Sequence, residues 1–354
     1  MGGRPCYRTQ LLIYLFLVLI ILHLYLRQDT CENQLQRSFL SLPVFETTSE
    51  DFSVPSTSVK TIEETPFSIK FKNANFKSTY RILPEATNCS SALLLAVVLS
   101  QAKHFKIRET IRETWGRVET KMEPNLKVLF IIGRGRPEEN MLIYEEAEEY
   151  GDILVISSPD TYRNLVHKSL ALFYYHQTYC PTRYLLKIDD DVLFDFSRFF
   201  HFQAKGKIPE NPPAIFGKLW RRSKPFRNPK HRWYISPRHF DHKFLPSFCG
   251  GPSYILTRGA VAQLLNSTRN VPFIYNVEDV LLTGILAEAA GVKRIDMPRS
   301  VHPNDRLLKP NPYGIKCDMD GVPYLFAVHG RKTPATIRSG WEKLSSLNCT
   351  YKYP

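Results

Sequence analysis

The chain has 354 residues, 43% of them hydrophobic and 12% aromatic, and its 47 basic and 34 acidic residues give a formal charge of +13. That apolar content excludes a disordered polymer and is ample for a buried core. Seven cysteines with no Cys-x-x-Cys pair offer nothing for a structural zinc site.

Leu11 to Leu26 form sixteen positions without a charge, preceded by Arg4 and Arg8 and followed by Arg27. As a helix they span about 24 Å, slightly short of a ~30 Å hydrocarbon core and suited to a thin secretory-pathway bilayer. The flank Leu22-His23-Leu24-Tyr25-Leu26-Arg27 lacks the small residues a signal peptidase needs, so an uncleaved signal anchor is expected over a cleaved leader. Residues 1–10 are then a cytoplasmic tail, and everything after Arg27 lies in a lumen. Three glycosylation sequons, at Asn88, Asn266 and Asn348, agree with that. So does the cysteine usage. Cys89, Cys180, Cys249, Cys317 and Cys349 allow one or two disulfides and a free thiol, with the pairing open. A lumenal chain meets no nucleic acid, so the basic surplus is assigned to anionic substrates or to a membrane surface.

Residues 27–88 are polar, rich in Ser, Thr and Pro, and read as an irregular stem. From residue 89 to 354 one domain is expected. Short apolar runs at Ala92–Ser100, Lys127–Ile132 and Ile153–Ile156 alternate with helix-like segments at Lys103–Trp115, Glu138–Tyr150 and Tyr162–Thr178, and a further strand ends at Asp189. This alternation predicts a mostly parallel α/β sheet. Further on, Ala214–Gly217, Trp233–Ile235 and Ser253–Thr257 read as strands, and Gly259–Leu265 and Val277–Ala290 as helices.

The chemistry is concentrated at a few places. Asp189-Asp190-Asp191 follows the apolar run Leu185-Leu186-Lys187-Ile188, at the strand end where open α/β sheets bind ligands. Three adjacent carboxylates suit a hard cation that also holds phosphates, although an acidic solvated turn accounts for them equally well. Arg108 and Arg112 share a helical face and either clamp a diphosphate or form Arg–Glu pairs. Asp160 is a helix N-cap or a ligand for a base or ribose, with Lys168 two turns further on. Glu278 and Asp279 open an apolar helix, where the dipole favours acids, and an acid near an apolar site can also serve as a general base. His329 ends an apolar run and is either structural or completes a metal shell. Eight Lys or Arg between Lys218 and Arg238, interleaved with Trp220, Phe226, Trp233 and Tyr234, make a solvated loop or a substrate-facing one.

Taken in order, Arg-x-x-x-Arg-x-Thr-Trp from Arg108, Asp-x-Tyr-x-Asn-Leu from Asp160, Lys-x-Asp-Asp-Asp-Val from Lys187, Glu-Asp-Val-x-x-x-Gly from Glu278 and Val-His-x-Arg-Lys from Val328 resemble the β-1,3-glycosyltransferase family. The resemblance runs from about Ser91 to Leu344. It implies a GT-A (Rossmann-like) α/β domain behind a single amino-terminal transmembrane helix, as in a single-pass type II Golgi protein. It also implies inverting transfer from a UDP-sugar to a hydroxyl of a glycan on lipid or protein. By motif position, Asp191, Asp189 and His329 are implied metal ligands for Mn²⁺, with Mg²⁺ the alternative, and Asp279 is the implied catalytic base. Arg108, Arg112, Asp160, Lys168 and Asp190 are implied near the nucleotide-sugar, and Trp233, Tyr254 and Glu278 on the acceptor side.

Galactose is the expected donor sugar, with N-acetylglucosamine the close alternative. From another class, an inactive homologue acting as chaperone or glycan-binding partner would be expected to lose the acids or the His, and this chain keeps them. One departure is Pro252, within Cys249-Gly250-Gly251-Pro252-Ser253-Tyr254, where the family has a Gly-rich turn before its aromatic.

Overall fold

The run Leu94-Leu95-Ala96-Val97-Val98-Leu99 has no polar face, so it is stable only if covered on both sides. A computed structural model, which describes residues 64–84, 89, 92–117, 125–302, 308, 314–349 and 351–352, buries all six of them at the centre of a nine-stranded mixed sheet. Leu95, Val97 and Leu99 pack into one apolar cluster and Leu94, Ala96 and Val98 into the other.

In chain order the elements are β1 (Thr65–Lys70), β2 (Asn75–Ile82), β3 (Leu94–Leu99), α1 (Phe105–Glu113), β4 (Leu126–Arg134), α2 (Pro137–Tyr150), β5 (Ile153–Pro159), α3 (Leu165–Thr178), β6 (Tyr184–Asp189), β7 (Val192–Phe194) and α4 (Phe196–Ala204). There follow β8 (Ala214–Trp220), β9 (Phe248–Thr257), α5 (Arg258–Ser267), a π-helical stretch Val280–Ile285 running into α6 (Leu286–Ala289), β10 (Lys293–Asp296), β11 (Val301–His302), β12 (Lys316–Cys317), β13 (Ala327–His329), α7 (Pro334–Ser345) and β14 (Tyr351–Lys352). The large sheet has the order β1-β2-β5-β4-β3-β6-β9-β8-β10. Its centre is parallel, since β3 pairs in parallel with both β4 and β6, and β4 with β5. From β3 the chain winds outward to β4 and β5, then returns to place β6 on the other flank. That reversal opens a crevice at the carboxyl ends of β3 and β6, the place where such sheets bind ligands.

Local sequence explains several boundaries. Pro137 occupies the first turn of α2, the Glu139 carboxylate accepts from the Arg136 backbone N–H and guanidinium, and Gly151 ends the helix with φ 63°. Thr333 caps α7 ahead of Pro334. A second sheet, β11-β13-β7, brings His329 opposite Val192 and so beside the acidic run. Cys89 bonds Cys180 and Cys317 bonds Cys349, leaving Cys249 buried and free among the described residues.

Two expectations are corrected, and the departure at Pro252 is accommodated. Residues 65–82, assigned to the irregular stem, form β1 and β2 of the main sheet, where Phe67, Ile69, Phe76 and Tyr80 are buried. Their alternation of buried and exposed positions was diluted by the Lys and Ser on the other face. Trp233–Ile235 is not a strand: Pro225, Pro229 and Pro237 punctuate this region, and a single bridge joins Phe226 to Tyr234. Pro252 does not disturb β9, because the β8–β9 register shifts between Gly217 and Leu219 and the missing N–H falls in that irregularity. Among the described residues no helix is long and apolar enough to cross a membrane. The expected tail (1–10) and anchor (11–26) lie outside them, as does Asn88.

Candidate active site

At the end of β6 the three aspartates take three different partners. Asp189 meets the Lys187 ammonium, whose Nζ lies 2.5 Å from Asp189 Oδ1. Asp190 Oδ2 accepts from Ser100 Oγ at 2.8 Å and lies 2.8 Å from His104 Nδ1. It therefore ties the end of β6 to the chain leaving β3, across the crevice. Asp191 turns the other way. Its Oδ2 lies 3.2 Å from His329 Nε2, and its carbonyl accepts from the N–H groups of Gly330 and Arg331.

Among the described residues Asp191 Oδ1 is buried with no hydrogen-bond partner. A buried, unpartnered carboxylate oxygen is unfavourable unless a cation completes it, and an imidazole beside it adds a second donor. The residues present therefore fit a divalent ion held by Asp191 and His329. Asp189 is directed to Lys187 rather than to that pair. Its carboxyl is nonetheless pushed up to about 7, first by burial, against the pull of Lys187, with Asp191 and Glu278 adding to the rise. Positive charge nearby would relieve it. A second His/Asp group, His201 with Asp318 and Asp320, gathers ligand atoms elsewhere. There the Lys205 ammonium, 2.6 Å from Asp320 Oδ2, already supplies the positive charge.

On the other side of β6 sits Asp279. Its Oδ2 accepts from the Gly251 N–H and its Oδ1 from the Val280 N–H, both at 2.9 Å. Burial first, then the neighbouring Glu278, push this carboxyl up to about 6, opposed by the Gly251 N–H, Lys187 and the Val280 N–H. A methyl group on Gly251 would stand 3.3 Å from Asp279 Oδ2, which explains a glycine there. Lys187 links the two sides, because its Nζ also donates to the Gly251 carbonyl at 2.5 Å and lies 3.8 Å from Glu278 Oε2. Burial alone would lower this ammonium, but Asp189 and then Glu278 outweigh it and hold it above its ordinary value.

Several expected roles change. Tyr254 and Glu278, expected on the acceptor side, are buried, and the Tyr254 hydroxyl donates to Glu278 Oε1 at 2.5 Å. Trp233 stays near the surface, its Nε1 donating to the Tyr162 hydroxyl at 2.7 Å. Arg108 and Arg112 do not present a diphosphate clamp. Arg108 is wholly buried, bound to Glu146, Ser100 and the carbonyls of Gln101 and Ala102, while Arg112 pairs with Glu146 and Asp152. Arg108 thus fixes the segment that carries Ser100 towards Asp190.

Asp160 is not a helix cap either. Its two oxygens take the Ala102 N–H and the Lys168 ammonium, each at 2.6 Å, and Lys168 also reaches the Ser100 carbonyl. Asp160 borders a cavity of about 330 Å³ lined by Gln101, Ala102, Lys103, Arg134, Arg136 and Thr161 among others, room for part of a nucleotide. A larger hollow of about 550 Å³, lined by the β1–β2 hairpin, Ser157 and Tyr174, shares no residue with this region. Asn266 lies exposed on α5, and Thr268 of its sequon is buried with its hydroxyl bonded to the Lys70 carbonyl; Asn348 is exposed beside the Cys317–Cys349 bridge.

Sequence reasoning missed Lys187, Ser100, His104 and Gly251 as site residues. Lys187 carried the clearest sign, a lone cation within an otherwise apolar buried strand.

A mixed α/β sheet with an acidic run and a His at its switch point, a cavity with room for part of a nucleotide beside it and a hydrogen-bonded carboxylate opposite is the arrangement of a GT-A-like glycosyltransferase. The galactosyltransferase family model matches residues 106–298, more than half of the chain, and the chain belongs to that family. It is 31% identical over 241 residues to Beta-1,3-galactosyltransferase bre-2 of Caenorhabditis elegans, covering 66% of this chain and 67% of that protein. It is 29% identical over 287 residues to the mouse Acetylgalactosaminyl-O-glycosyl-glycoprotein beta-1,3-N-acetylglucosaminyltransferase, covering 76% and 70%. With Beta-1,3-galactosyltransferase 5 of Pan paniscus the identity is 26% over 279 residues, covering 78% and 87%. The chain is a UDP-sugar-dependent enzyme, a β-1,3-glycosyltransferase.

Proposed function

We propose that this enzyme is an inverting β-1,3-galactosyltransferase of the Golgi membrane, type II in topology, moving galactose from UDP-galactose to a glycan on lipid or protein. The observation that carries the mechanism is Asp279: a carboxylate pinned by two backbone N–H groups, pushed up to about 6, and joined through Gly251 and Lys187 to the acidic run. A base of that strength is largely ionised at neutral pH and still accepts a proton readily. Asp279 takes the proton of the acceptor hydroxyl as its oxygen attacks the anomeric carbon. The bond to the β-phosphate oxygen breaks on the opposite face, and its electron pair leaves with UDP. The sugar is inverted, and no protein nucleophile takes part.

Asp191 and His329 would hold the divalent ion, Mn²⁺ by the choice of carboxylate and imidazole donors, and when bound it supplies positive charge for the departing diphosphate. Asp190, fixed by Ser100 and His104, holds the two strand ends in register around the leaving group. Asp160 and Lys168 shape the cavity for the nucleoside.

Support for galactose comes from the galactosyltransferases among the relatives, and the anchor-like segment at residues 11–26 supports the location. N-acetylglucosamine is the second reading, favoured by the mouse relative, which aligns over more of this chain than the nematode one. The test is UDP release by the full chain in detergent with Mn²⁺ and UDP-galactose or UDP-N-acetylglucosamine. Faster release with galactose is expected. Preference for the other donor keeps the mechanism and changes the substrate. No release from either with a broad acceptor panel overturns both.

A further inference from the structure

Between β8 and β9 runs a 27-residue connection, 221–247, without a helix or strand of its own. Connections of that length in a compact domain usually serve binding. This one is ordered by its own contacts: Arg227 binds the carbonyls of Ile235 and His242, Leu245 N–H bonds the Ser223 carbonyl, and Ile235 and Leu245 are buried. Its charge is one-sided. Lys218 to Lys243 holds nine Lys or Arg against one acid, Asp241.

The loop carries a platform of rings. Phe226 and His231 stack at 4.0 Å with their planes nearly parallel, and Trp233 meets both edge-on. Trp233 is fastened to Tyr162, and the Arg232 guanidinium lies over both, 4.7 Å from the Trp233 ring and 5.0 Å from the Tyr162 ring. Phe226 and Tyr162 remain 44% and 48% exposed. Among the described residues no carboxylate comes within ion-pair reach of Arg232. Its position is set by the rings, and its N–H groups are left for another anion.

The platform adjoins the nucleotide cavity, and the loop that carries it begins beside the reaction centre. Tyr162 follows Asp160 and Thr161 of the nucleotide cavity. At the other end, Trp220 packs so closely on Gly250 that a methyl there would stand 2.7 Å from its Nε1, one residue from the Gly251 that holds Asp279.

Pyranose rings present C–H groups on one face, and these settle on the electron-rich faces of aromatic side chains. We infer that Tyr162, Phe226, Trp233 and Arg232 form an acceptor subsite for a saccharide bearing a sulfate or carboxylate, the rings taking the sugar and Arg232 the anion. This rests on the transferase reading above. Charge alone would equally suit a membrane surface, but fixed ring faces, with Trp233 inclined by 62° to Phe226 and 60° to His231, suit a ring-shaped ligand.

The test uses the full chain in detergent and a matched pair of acceptors, p-nitrophenyl N-acetylglucosaminide and its 6-O-sulfate. Wild type is expected to show a KM about tenfold lower for the sulfated acceptor, the gap shrinking at high salt. Arg232→Gln raises that KM about tenfold and moves the neutral one less than twofold, with an unchanged melting temperature. Equal KM values in wild type overturn the inference. So does a variant that keeps the preference, or one whose KM rises equally for UDP-galactose, which would place the platform on the donor side. Tryptophan fluorescence, titrated with the sulfated compound, reads the subsite without turnover. Saturable quenching in wild type and a tenfold weaker response in Arg232→Gln are expected even if no donor is turned over, so failure of the transferase reading stays distinguishable. Loss in the variant of binding to phosphatidylserine vesicles only, with saccharide binding intact, assigns the loop to the membrane and overturns the subsite.

Discussion

Replacing Asp279 by Asn separates its two effects, on rate and on stability. Its folded carboxyl is held at about 6 instead of 3.8, so at pH 7.5 the ionised form carries a penalty of roughly 3 kcal/mol relative to the unfolded chain. Asn removes that charge from beside Glu278. It also gives up one of two acceptor oxygens, leaving either the Gly251 or the Val280 N–H without its partner, a loss of about 1–3 kcal/mol. The difference leaves Asp279→Asn between unchanged and about 2 kcal/mol more stable than wild type at pH 7.5. Because the folded value is raised, the penalty is fully present above about 6 and disappears as pH falls below 3.8. The stability of the variant relative to wild type must therefore decline from pH 7.5 to 4.5. Transfer, in contrast, loses its base and should fall by roughly 10²–10⁴-fold. Urea unfolding at both pH values and initial rates with saturating donor test this. A variant within tenfold of wild-type turnover refutes the base, and one destabilised by more than about 3 kcal/mol at pH 7.5 refutes the electrostatic argument.

Other outcomes follow from the same geometry. Transfer by wild type should decline about tenfold per pH unit below 6 as Asp279 takes up its proton, measured as kcat/KM against pH in constant Mn²⁺. Lys187→Met strands Asp189 and frees the Gly251 carbonyl, and should destabilise the fold by about 3–5 kcal/mol in a urea titration. Deleting residues 1–60 should leave a soluble domain, whereas deleting 1–88 removes β1 and β2 with Phe67, Ile69, Phe71, Phe76 and Tyr80, a loss of roughly 10 kcal/mol of burial that should abolish folding, read by circular dichroism. Cys89→Ser opens a loop of 91 residues and should cost roughly 4.5 kcal/mol, against roughly 3.5 for Cys349→Ser with 32 residues, both by urea unfolding.

The central strands were legible because they are apolar without interruption: Ala92–Ser100 and Leu185–Ile188 can only be core. β1 and β2 were not, because half of each faces solvent and their Lys, Ser and Asn match stem composition. At the site, the position of Asp191 against His329 rests on β7 pairing with β13 across 137 residues, a register that no local pattern encodes. The motif order alone suggested it. Arg108 and Arg112 show the opposite limit. Their spacing is equally consistent with binding a ligand and with binding Glu146 and Asp152, and only the placement of α2 decides. Glu278 and Asp279 are adjacent in sequence yet divide their work, one buried on Tyr254 and the other held at the crevice by Gly251.

The anomeric configuration of the product tests the account most directly. With UDP-galactose, Mn²⁺ and p-nitrophenyl N-acetylglucosaminide, proton NMR of the purified product should show a β-linked galactose on the 3-hydroxyl, as displacement assisted by Asp279 requires. An α-linked product would mean retention, and with it a different catalytic group from Asp279.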